Sequence, residues 1–415
     1  MKKIIILAIV TLIASSSAFP KFDLGVQYKP RFEYRDGYRI LQPAEDINPA
    51  AFISQRTRLI ANYSSSDITT RLSLQDARVW GDEVQVQSQP RIALHEAWLQ
   101  LNLGSGVFLK TGRQELVYDD HRLLGNLEWA QQARSHDAAL LKIMGENSQF
   151  HFGASFNQSA QNVYESQYSL NNYKALALLW YENKIDKENK FSLIGVADFF
   201  EESGNFTGLD NRATFGGNYY HTGDKLELQG TGYYQIGRTT NDLDIAAYMF
   251  SAQGHYNIGK FKVGAGIDYL SGNDSESESI NFFNTLYATN HKFYGYMDHF
   301  LNIPNDTRGA GLVDIYAKLK YQFAEKWDAS LDFHSFSTQQ NYYDFNTMEE
   351  LGTSLATEID LVVKHNFNQF TTIFLGASTL LPTDDFKALQ NRPFGDTSTW
   401  LWAMISVKPT IFSAD

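Results

Sequence analysis

Residues 313–323 read VDIYAKLKYQF, and this stretch decides the fold. Its apolar side chains occupy alternate positions: Val313, Ile315, Ala317, Leu319, Tyr321 and Phe323. The opposite positions carry polar side chains: Asp314, Lys318, Lys320 and Gln322. Because successive side chains of a β-strand point to opposite faces, the pattern predicts a strand with one apolar face and one charged face. A face this rich in charge has to meet water and cannot belong to a dry core.

The same alternation recurs along the chain, for example in residues 225–236 and 327–336. A soluble β-sandwich also alternates, with its apolar face turned inward, but two features favour a membrane barrel. The segments are about ten residues long or slightly longer, the length that crosses a bilayer at the strand tilt of a barrel. Aromatic side chains, which make up 14% of the chain, gather near the strand ends, as at Trp180 and Trp400, where the interfacial girdles of a barrel lie.

The pattern predicts an all-β fold, a transmembrane antiparallel β-barrel of 18 strands. We expect the strands near residues 22–35, 52–64, 67–79, 94–103, 106–115, 137–145, 148–157, 173–182, 190–199, 213–221, 225–236, 247–257, 261–271, 313–323, 328–336, 355–365, 370–379 and 399–412. Short and long connections alternate, which is typical of an outer-membrane barrel with short periplasmic turns and long extracellular loops. The longest connection, 272–312, is rich in aromatic side chains and is expected to fold over or into the pore.

The two ends and the composition restrict the class of protein further. Lys2 and Lys3 precede an apolar run and the small residues 14–18, so we expect a signal peptide at 1–18 and the barrel at 19–415. There is no Cys, which excludes disulfides and thiolate metal sites. No later apolar run approaches the length of a spanning helix, and the net charge of −12 argues against nucleic acid as a partner. The expected location is the bacterial cell outer membrane.

Arginine is concentrated in the first part of the chain, where eleven of the fifteen arginines precede residue 150. Strand parity places Arg31 opposite the apolar face of the first strand, and it does the same for Arg56 and Arg58 in the second strand and Arg71 in the third. Neighbouring strands should therefore direct a cluster of guanidinium groups into the lumen. Arginine presents a fixed fork of donors that matches a carboxylate, and a ring of such groups in a pore selects for anions.

An alternative is that these arginines pair with lumenal acids and merely fill the barrel. The available acids are Glu33, Asp76, Glu96, Glu115 and Asp137. We nevertheless predict an anion-selective pore despite the net negative charge, with most acids on loops and rims.

Residues 112–137 carry a recognisable motif. It comprises Gly112-Arg113-Gln114-Glu115-Leu116, Tyr118, Asp120, Arg122-Leu123-Leu124-Gly125, Trp129, Arg134 and Asp137. Further matches are Arg56-Thr57-Arg58, Ser271-Gly272-Asn273-Asp274, residues 284–300, Trp402 and Lys408-Pro409. In these blocks, which follow one another in order over much of the chain, the sequence resembles the bacterial alginate export protein family. The resemblance implies a monomeric 18-stranded outer-membrane barrel with a narrow, arginine-rich pore that guides a polyuronate chain, with loops and turns as lids.

The predicted pore lining combines strand parity with this resemblance. Its residues are Arg31, Arg56, Arg58, Arg71, Arg113, Arg122, Arg134 and Asp137. The leading hypothesis is a passive channel for the export of an acidic polysaccharide, without a cofactor. The alternative is an uptake porin for anionic oligosaccharides or other small anions, since a passive pore has no intrinsic direction. Outer-membrane lipid and lipopolysaccharide are the expected surroundings.

Two further classes of protein were weighed against a channel. A barrel-embedded hydrolase needs a Ser-His pair near the outer rim, and Ser135-His136-Asp137 contains the residue types of a catalytic triad. Along a strand, however, the histidine points away from both neighbours, so no enzyme is predicted. A structural or adhesive barrel would have a plugged lumen.

Overall fold

The computed structural model describes residues 20–414 except 87–90, 165, 169, 171, 202–208, 275–276, 345–346 and 348. The predicted signal peptide, residues 1–18, lies outside the described residues. The strands are β1 (Lys21–Asp36), β2 (Ala50–Ser64), β3 (Ile68–Val79), β4 (Ala93–Gly104), β5 (Val107–Gln114), β6 (His136–Met144), β7 (Ser148–Phe156), β8 (Ala175–Lys184), β9 (Asn189–Glu201), β10 (Leu209–Thr222), β11 (Leu226–Arg238), β12 (Asp244–Ile258), β13 (Phe261–Leu270), β14 (Leu312–Ala324), β15 (Trp327–Ser337), β16 (Tyr342–Tyr343), β17 (Glu350–Leu351), β18 (Ser354–Asn366), β19 (Thr371–Pro382), β20 (Ser398–Val407) and β21 (Thr410–Ala414).

The sheet closes on itself as a barrel. Consecutive strands from β1 to β15 pair antiparallel, and the series continues from β15 to β18, β19 and β20. Both β20 and β21 pair with β1, and together they form the last strand of the wall. Counting β20 and β21 as one interrupted strand, the described residues form the 18-strand antiparallel barrel that the sequence predicted. The pair β16 and β17 is a small hairpin within a loop.

The break in the last strand has a simple cause. Pro409 lacks the backbone N–H that a ladder position requires, so the regular pairing is interrupted there. The ladder is partly repaired, because Val26 N donates to Pro409 O at 3.1 Å and Lys408 N donates to Phe370 O at 2.9 Å. Lys408 therefore lies at an irregular point of the wall, and its side chain reaches into the barrel toward residue 128.

The two faces of the strands follow the predicted parity. In β1, Tyr28 and Phe32 are 36% and 44% exposed on the outer face, whereas Lys29 and Arg31 on the inner face are each 4% exposed. The outer face is an apolar belt, as a wall in contact with hydrocarbon requires. The inner face contains the charged residues.

Two connections enter the barrel. They are the inner loop, residues 115–135 between β5 and β6, and the long loop, residues 271–311 between β13 and β14. The two loops hold each other through main-chain hydrogen bonds, with Gly125 N donating to Tyr287 O at 2.9 Å and Thr289 N donating to His121 O at 3.0 Å. The expectation that the longest connection folds into the pore is confirmed.

The hydrophobic core lies where these loops meet the inner wall. It includes Leu116, Leu123 and Leu124 of the inner loop with Phe283, Tyr294, Met297 and Phe300 of the long loop. The short helix α1 (Asp384–Gln390) adds Phe386 to this core, and the Thr383 side chain caps it by accepting from Phe386 N at 3.1 Å. Among the described residues, no helix has the length and apolar character needed to cross a membrane.

Candidate functional site

A wall of cations lines the inside of the barrel on β1 and β2. Lys29, Arg31, Arg56 and Arg58 face inward, and each is no more than 4% exposed. In the register of the two strands Lys29 lies opposite Arg56. Like charges on directly paired positions repel each other, so this arrangement requires an anion nearby.

That anion is Glu128, which the inner loop places against the wall. Arg56 Nη2 donates to Glu128 Oε1 at 2.5 Å, while Lys408 Nζ lies 3.5 Å from the same oxygen. Arg58 Nη1 is 3.9 Å from the other carboxylate oxygen, and Lys29 Nζ donates to the Glu128 main-chain oxygen at 2.5 Å. The carboxylate therefore faces Arg56, Arg58 and Lys408, while Lys29 holds the main chain of the same residue. Sequence reasoning did not identify Glu128, because an acid in an irregular loop has no parity that would place it.

The environment keeps Glu128 ionised. Burial by itself would raise the pKa of its carboxyl, but Arg56, Lys29 and Lys408 outweigh burial and lower the pKa to about 2. The side chain is still 40% exposed, because it borders an open space in the lumen. Glu128 is thus an ionised counter-ion of the basic wall, and it remains in contact with solvent.

The other lumenal arginines have mixed partners. Arg31 Nε donates to Glu33 at 2.8 Å, and its guanidinium lies 4.0 Å above the ring of Trp129. Arg71 Nε donates to Glu96 at 2.5 Å. The five acids named in the sequence analysis all pair with an arginine. Besides Arg31–Glu33 and Arg71–Glu96, the pairs are Arg58–Glu115, Arg78–Asp76 and Arg113–Asp137. The arginines therefore do pair with acids on the strands. These pairs do not include Glu128, which belongs to the inner loop and faces Arg56, Arg58 and Lys408.

Arg122 and Arg134 belong to the inner loop, and they bond β13 and the long loop respectively. Arg122 donates to both carboxylate oxygens of Asp268 on β13, at 2.9 and 3.0 Å, and it also pairs with Asp120. Burial alone would lower the pKa of Arg122, but these acids raise it well above its ordinary value. Arg122 therefore braces the inner loop to the wall. Arg134 donates to Ala288 O at 3.0 Å, and burial lowers its pKa to about 10.

The structure corrects the expected position of Arg113 and Asp137. These residues lie opposite each other on β5 and β6 and form an ion pair on the outer face, with side chains 40% and 62% exposed. The reason is strand parity: Asp137 shares its face with the exposed Leu141, whereas His136 points inward and bonds the Tyr173 hydroxyl at 2.8 Å. The two residues do not line the pore, and Ser135-His136-Asp137 does not converge.

Another part of the inner wall, on β13, β14, β15 and β18, is acidic. Its buried inward-facing carboxylates are Asp268, Asp314, Asp332, Glu358 and Asp360. The expectation that most acids lie on loops and rims is therefore wrong for this group. The long loop covers part of this wall, since Met297 N donates to Glu358 at 2.7 Å and Tyr296 N faces Asp360 at 3.4 Å.

Two cavities follow the basic wall, one above the other. The upper cavity, toward the long-loop end, has a volume of about 610 Å³ and is lined by Arg31, Arg35, Arg39 and Arg78 among others. The lower cavity, toward the short-turn end, has a volume of about 600 Å³ and is lined by Lys29, Lys292, Lys408, Glu128 and Trp402 among others. Trp129 and His291 border both cavities, and their rings stack at 4.4 Å. This ring pair separates the two spaces.

A family model described as alginate export matches residues 21–396 of the chain, nearly its whole length. The chain belongs to the alginate export family. The resemblance noted in residues 112–137 is thereby confirmed, and no curated protein matches the chain in sequence.

Solved structures share the fold at low identity. OccAB4 of Acinetobacter baumannii matches with a TM-score of 0.61 at 12% identity, covering 96% of this chain and 99% of its own. OccAB1 of the same organism gives 0.64 at 11% identity, covering 94% and 97%. The outer membrane protein opdK of Pseudomonas aeruginosa gives 0.60 at 9% identity, covering 95% and 99%. The family and the fold are those of outer-membrane porin channels, so this member of the alginate export family resides in the outer membrane, with periplasmic short turns and extracellular long loops.

Among the described residues of this family member, the ligand atoms of His95, Glu96 and Glu115 lie close enough together to hold a metal ion. The two acids are already engaged, because Glu96 pairs with Arg71, and Glu115 accepts from Asn126 at 2.8 Å and contacts His95 at 2.7 Å. Arg58 lies 3.8 Å from Glu115. Two guanidinium groups beside the cluster repel a cation, so these residues fit an ion-pair network better than a metal site.

Proposed function

We propose that this protein is a channel that passes an acidic, alginate-like polysaccharide across the outer membrane through an anion-selective lumen. The basic wall of β1 and β2 carries the proposal, because Arg31 borders the upper cavity, Lys29 borders the lower one, and Arg56 and Arg58 contact Glu128 in the wall of the lower one. Membership of the alginate export family supports a polyuronate as the substrate. The apolar outer belt would contact lipid and lipopolysaccharide, and a monomer suffices for the pore.

The physical basis of passage is exchange of solvation. Guanidinium and ammonium groups replace part of the hydration of each carboxylate as the polymer moves along the wall. Most cations also keep a local acidic partner, such as Glu33 for Arg31, which moderates the attraction. Several moderate sites in series let a long polyanion advance without being trapped at one of them. Arg31, Arg56, Arg58 and Arg71 remain predicted contacts of the substrate.

The test is single-channel recording in a planar bilayer. We expect the reversal potential across a KCl gradient to show anion selectivity, and we expect oligouronates to block the current in a concentration-dependent way. Neutral oligosaccharides of equal length are the control and should block much less. A cation-selective pore, or equal block by neutral and acidic chains, would contradict the proposal.

An uptake channel for anionic oligosaccharides or other small anions is the second candidate. It is favoured by the shared fold with opdK, for which a structure with vanillate, a small carboxylate, exists. The lower cavity also combines cations with aromatic rings, which would suit a single carboxylated ring. Block by monomeric carboxylates that is as strong as block by long oligouronates would favour this candidate over polymer passage.

A further inference from the structure

Buried donors without an acceptor lie at the lower cavity and behind Glu128, which forms part of its wall. Within the part of the chain that the structure describes, Arg56 Nε, Arg58 Nη2, Trp129 Nε1 and Trp402 Nε1 are buried without a hydrogen-bond partner. Trp129 and Trp402 border the cavity directly, while Arg56 and Arg58 contact Glu128 in its wall. A buried donor without an acceptor is costly, so two indole donors at the cavity and two guanidinium donors behind Glu128 favour an oxygen-rich ligand at this position.

The cavity also presents flat apolar faces. Trp402, Phe374, Tyr296 and Trp129 all line it. Trp402 lies against Gly376, where an added Cβ would come within 2.1 Å of its ring, so the glycine determines where the indole rests. Aromatic faces pack against the C–H faces of a sugar ring, and the surrounding donors bind its oxygens. Cations and aromatic rings together suit an acidic sugar.

Glu128 occupies the position that the carboxylate of such a ligand would take. Glu128 lines the cavity and pairs with Arg56 and Lys408. Its side chain is 40% exposed, so a solute in the cavity can reach it. We propose that the lower cavity is a binding site for a hexuronate unit, and that Glu128 is a built-in competitor which the carboxylate of the substrate displaces. This inference rests on the proposed function and adds the site and the specificity-determining residue.

The exchange is selective because charge must be conserved at the cations. Replacing one carboxylate by another leaves Arg56 and Arg58 compensated, whereas a neutral sugar that displaced Glu128 would leave two buried guanidinium groups without this anion. Displacement removes the contacts of the Glu128 carboxylate and loosens the segment around it, which keeps its other contacts. Lys29 and Arg31 still donate to the main-chain oxygens of Glu128 and Trp129, at 2.5 and 2.8 Å. Leu127 N donates to Thr289 Oγ1 at 3.1 Å, and Gln131 Nε2 donates to Ser54 Oγ at 3.0 Å.

The decisive variant is Glu128→Gln, which removes the charge and keeps the shape. Binding of monomeric glucuronate to the purified full-length barrel is measured by tryptophan fluorescence, since Trp129 and Trp402 border the site. We expect Glu128→Gln to bind glucuronate at least tenfold more tightly than the wild type, with glucose binding unchanged. The matched control is Glu227→Gln, another carboxylate paired with a lysine but placed on β11, which should leave glucuronate binding unaltered.

A second measurement covers the case in which Glu128→Gln fails to fold. The chain contains no cysteine, so Gln131→Cys places a single thiol at a buried position of the same segment. Glucuronate should accelerate modification of this thiol by a soluble reagent, and glucose should not.

Affinity for glucuronate that is unchanged or weaker in Glu128→Gln, or thiol reactivity unaffected by glucuronate, overturns the competitor role. The proposed function would survive that result if oligouronates still block the wild-type pore. Absence of block together with cation selectivity would instead remove the proposed function itself.

Discussion

At the scale of single residues, the lumenal cations differ in where their acidic partners lie. Arg31 and Arg71 are neutralised by acids of their own or the neighbouring strand, Glu33 and Glu96. Arg56 instead depends on Glu128, which arrives from a loop 72 residues away along the chain. A partner on a strand is rigid, whereas a partner on a loop can leave. The cations that face Glu128 are therefore the ones whose counter-ion a substrate carboxylate can replace.

Arg58 provides a test of this distinction, with Arg113 as its matched control. Arg58→Gln removes an inward cation that has an unsatisfied donor, so we expect lower anion selectivity and weaker block by oligouronates. A charge-assisted contact contributes about 1.5–3 kcal/mol, which corresponds to roughly a tenfold loss of affinity or more. Arg113→Gln removes a cation from the outer face and should change neither quantity.

Reversal potentials and block constants in a planar bilayer compare the two variants. Equal effects of Arg58→Gln and Arg113→Gln would show that the selectivity does not arise from the inner wall. Retention of the folded form on a gel shows whether each variant has assembled.

At the scale of elements, two loops convert a wide barrel into a narrow pore. The inner loop faces the basic wall, and the long loop rests on the acidic wall. Their mutual hydrogen bonds run through the main chain of residues 121–125 and 287–289. The Trp129–His291 ring pair joins the two loops at the point where the cavities meet. Movement of the inner loop is thus the simplest way to join the upper and lower cavities.

A cross-link between the inner loop and β2 tests this movement. Ser54 and Gln131 are in contact at 3.0 Å, and the chain has no cysteine of its own. We expect a barrel carrying Ser54→Cys and Gln131→Cys to lose passage of oligouronates in liposome efflux assays once a short bis-methanethiosulfonate bridges the two thiols. Each thiol displaces methanesulfinate from the reagent, so the bridge is held by two reducible disulfides. Reducing the bridge should restore passage. Each single cysteine variant treated in the same way is the control, and unimpaired efflux from the bridged protein would show that the inner loop does not move.

At the scale of the whole molecule, stability comes from closure. Each of the 18 strands of the barrel wall in the described residues has a neighbour on both sides, with β20 and β21 counted as one strand that pairs with β1. Closure removes the free edges that would expose backbone donors and acceptors to lipid. The apolar belt faces outward and the charges face inward, which is the reverse of a soluble protein.

This closure predicts resistance to detergent. We expect the folded protein to remain compact in SDS at room temperature and to change its mobility on a gel only after boiling, because the paired backbone leaves no edge for unfolding to begin. Circular dichroism of the unboiled sample in detergent should show mainly β-structure. A spectrum dominated by helix would contradict the architecture.

Strand number, strand order and the direction of most side chains were determined by the sequence alone. Alternation has a period of two, so residues such as Arg56 and Arg58 could be assigned to the inner face from their neighbours in the chain. Arg113 and Asp137 obey the same rule, and their parity places them outside. Their assignment to the pore came from the motif and not from the strand, which is why it was wrong.

Only the tertiary structure decided what those inward cations meet. A loop has no periodic pattern, so nothing local to residues 115–135 shows that Glu128 would lie against Arg56 or that Trp129 would stack on His291. These contacts join segments far apart in the chain, and they depend on the curvature of the closed wall and on the packing of two loops in its interior. The sequence thus determined a barrel with a basic inner wall, while the narrow pore, its two cavities and its displaceable counter-ion follow from long-range packing.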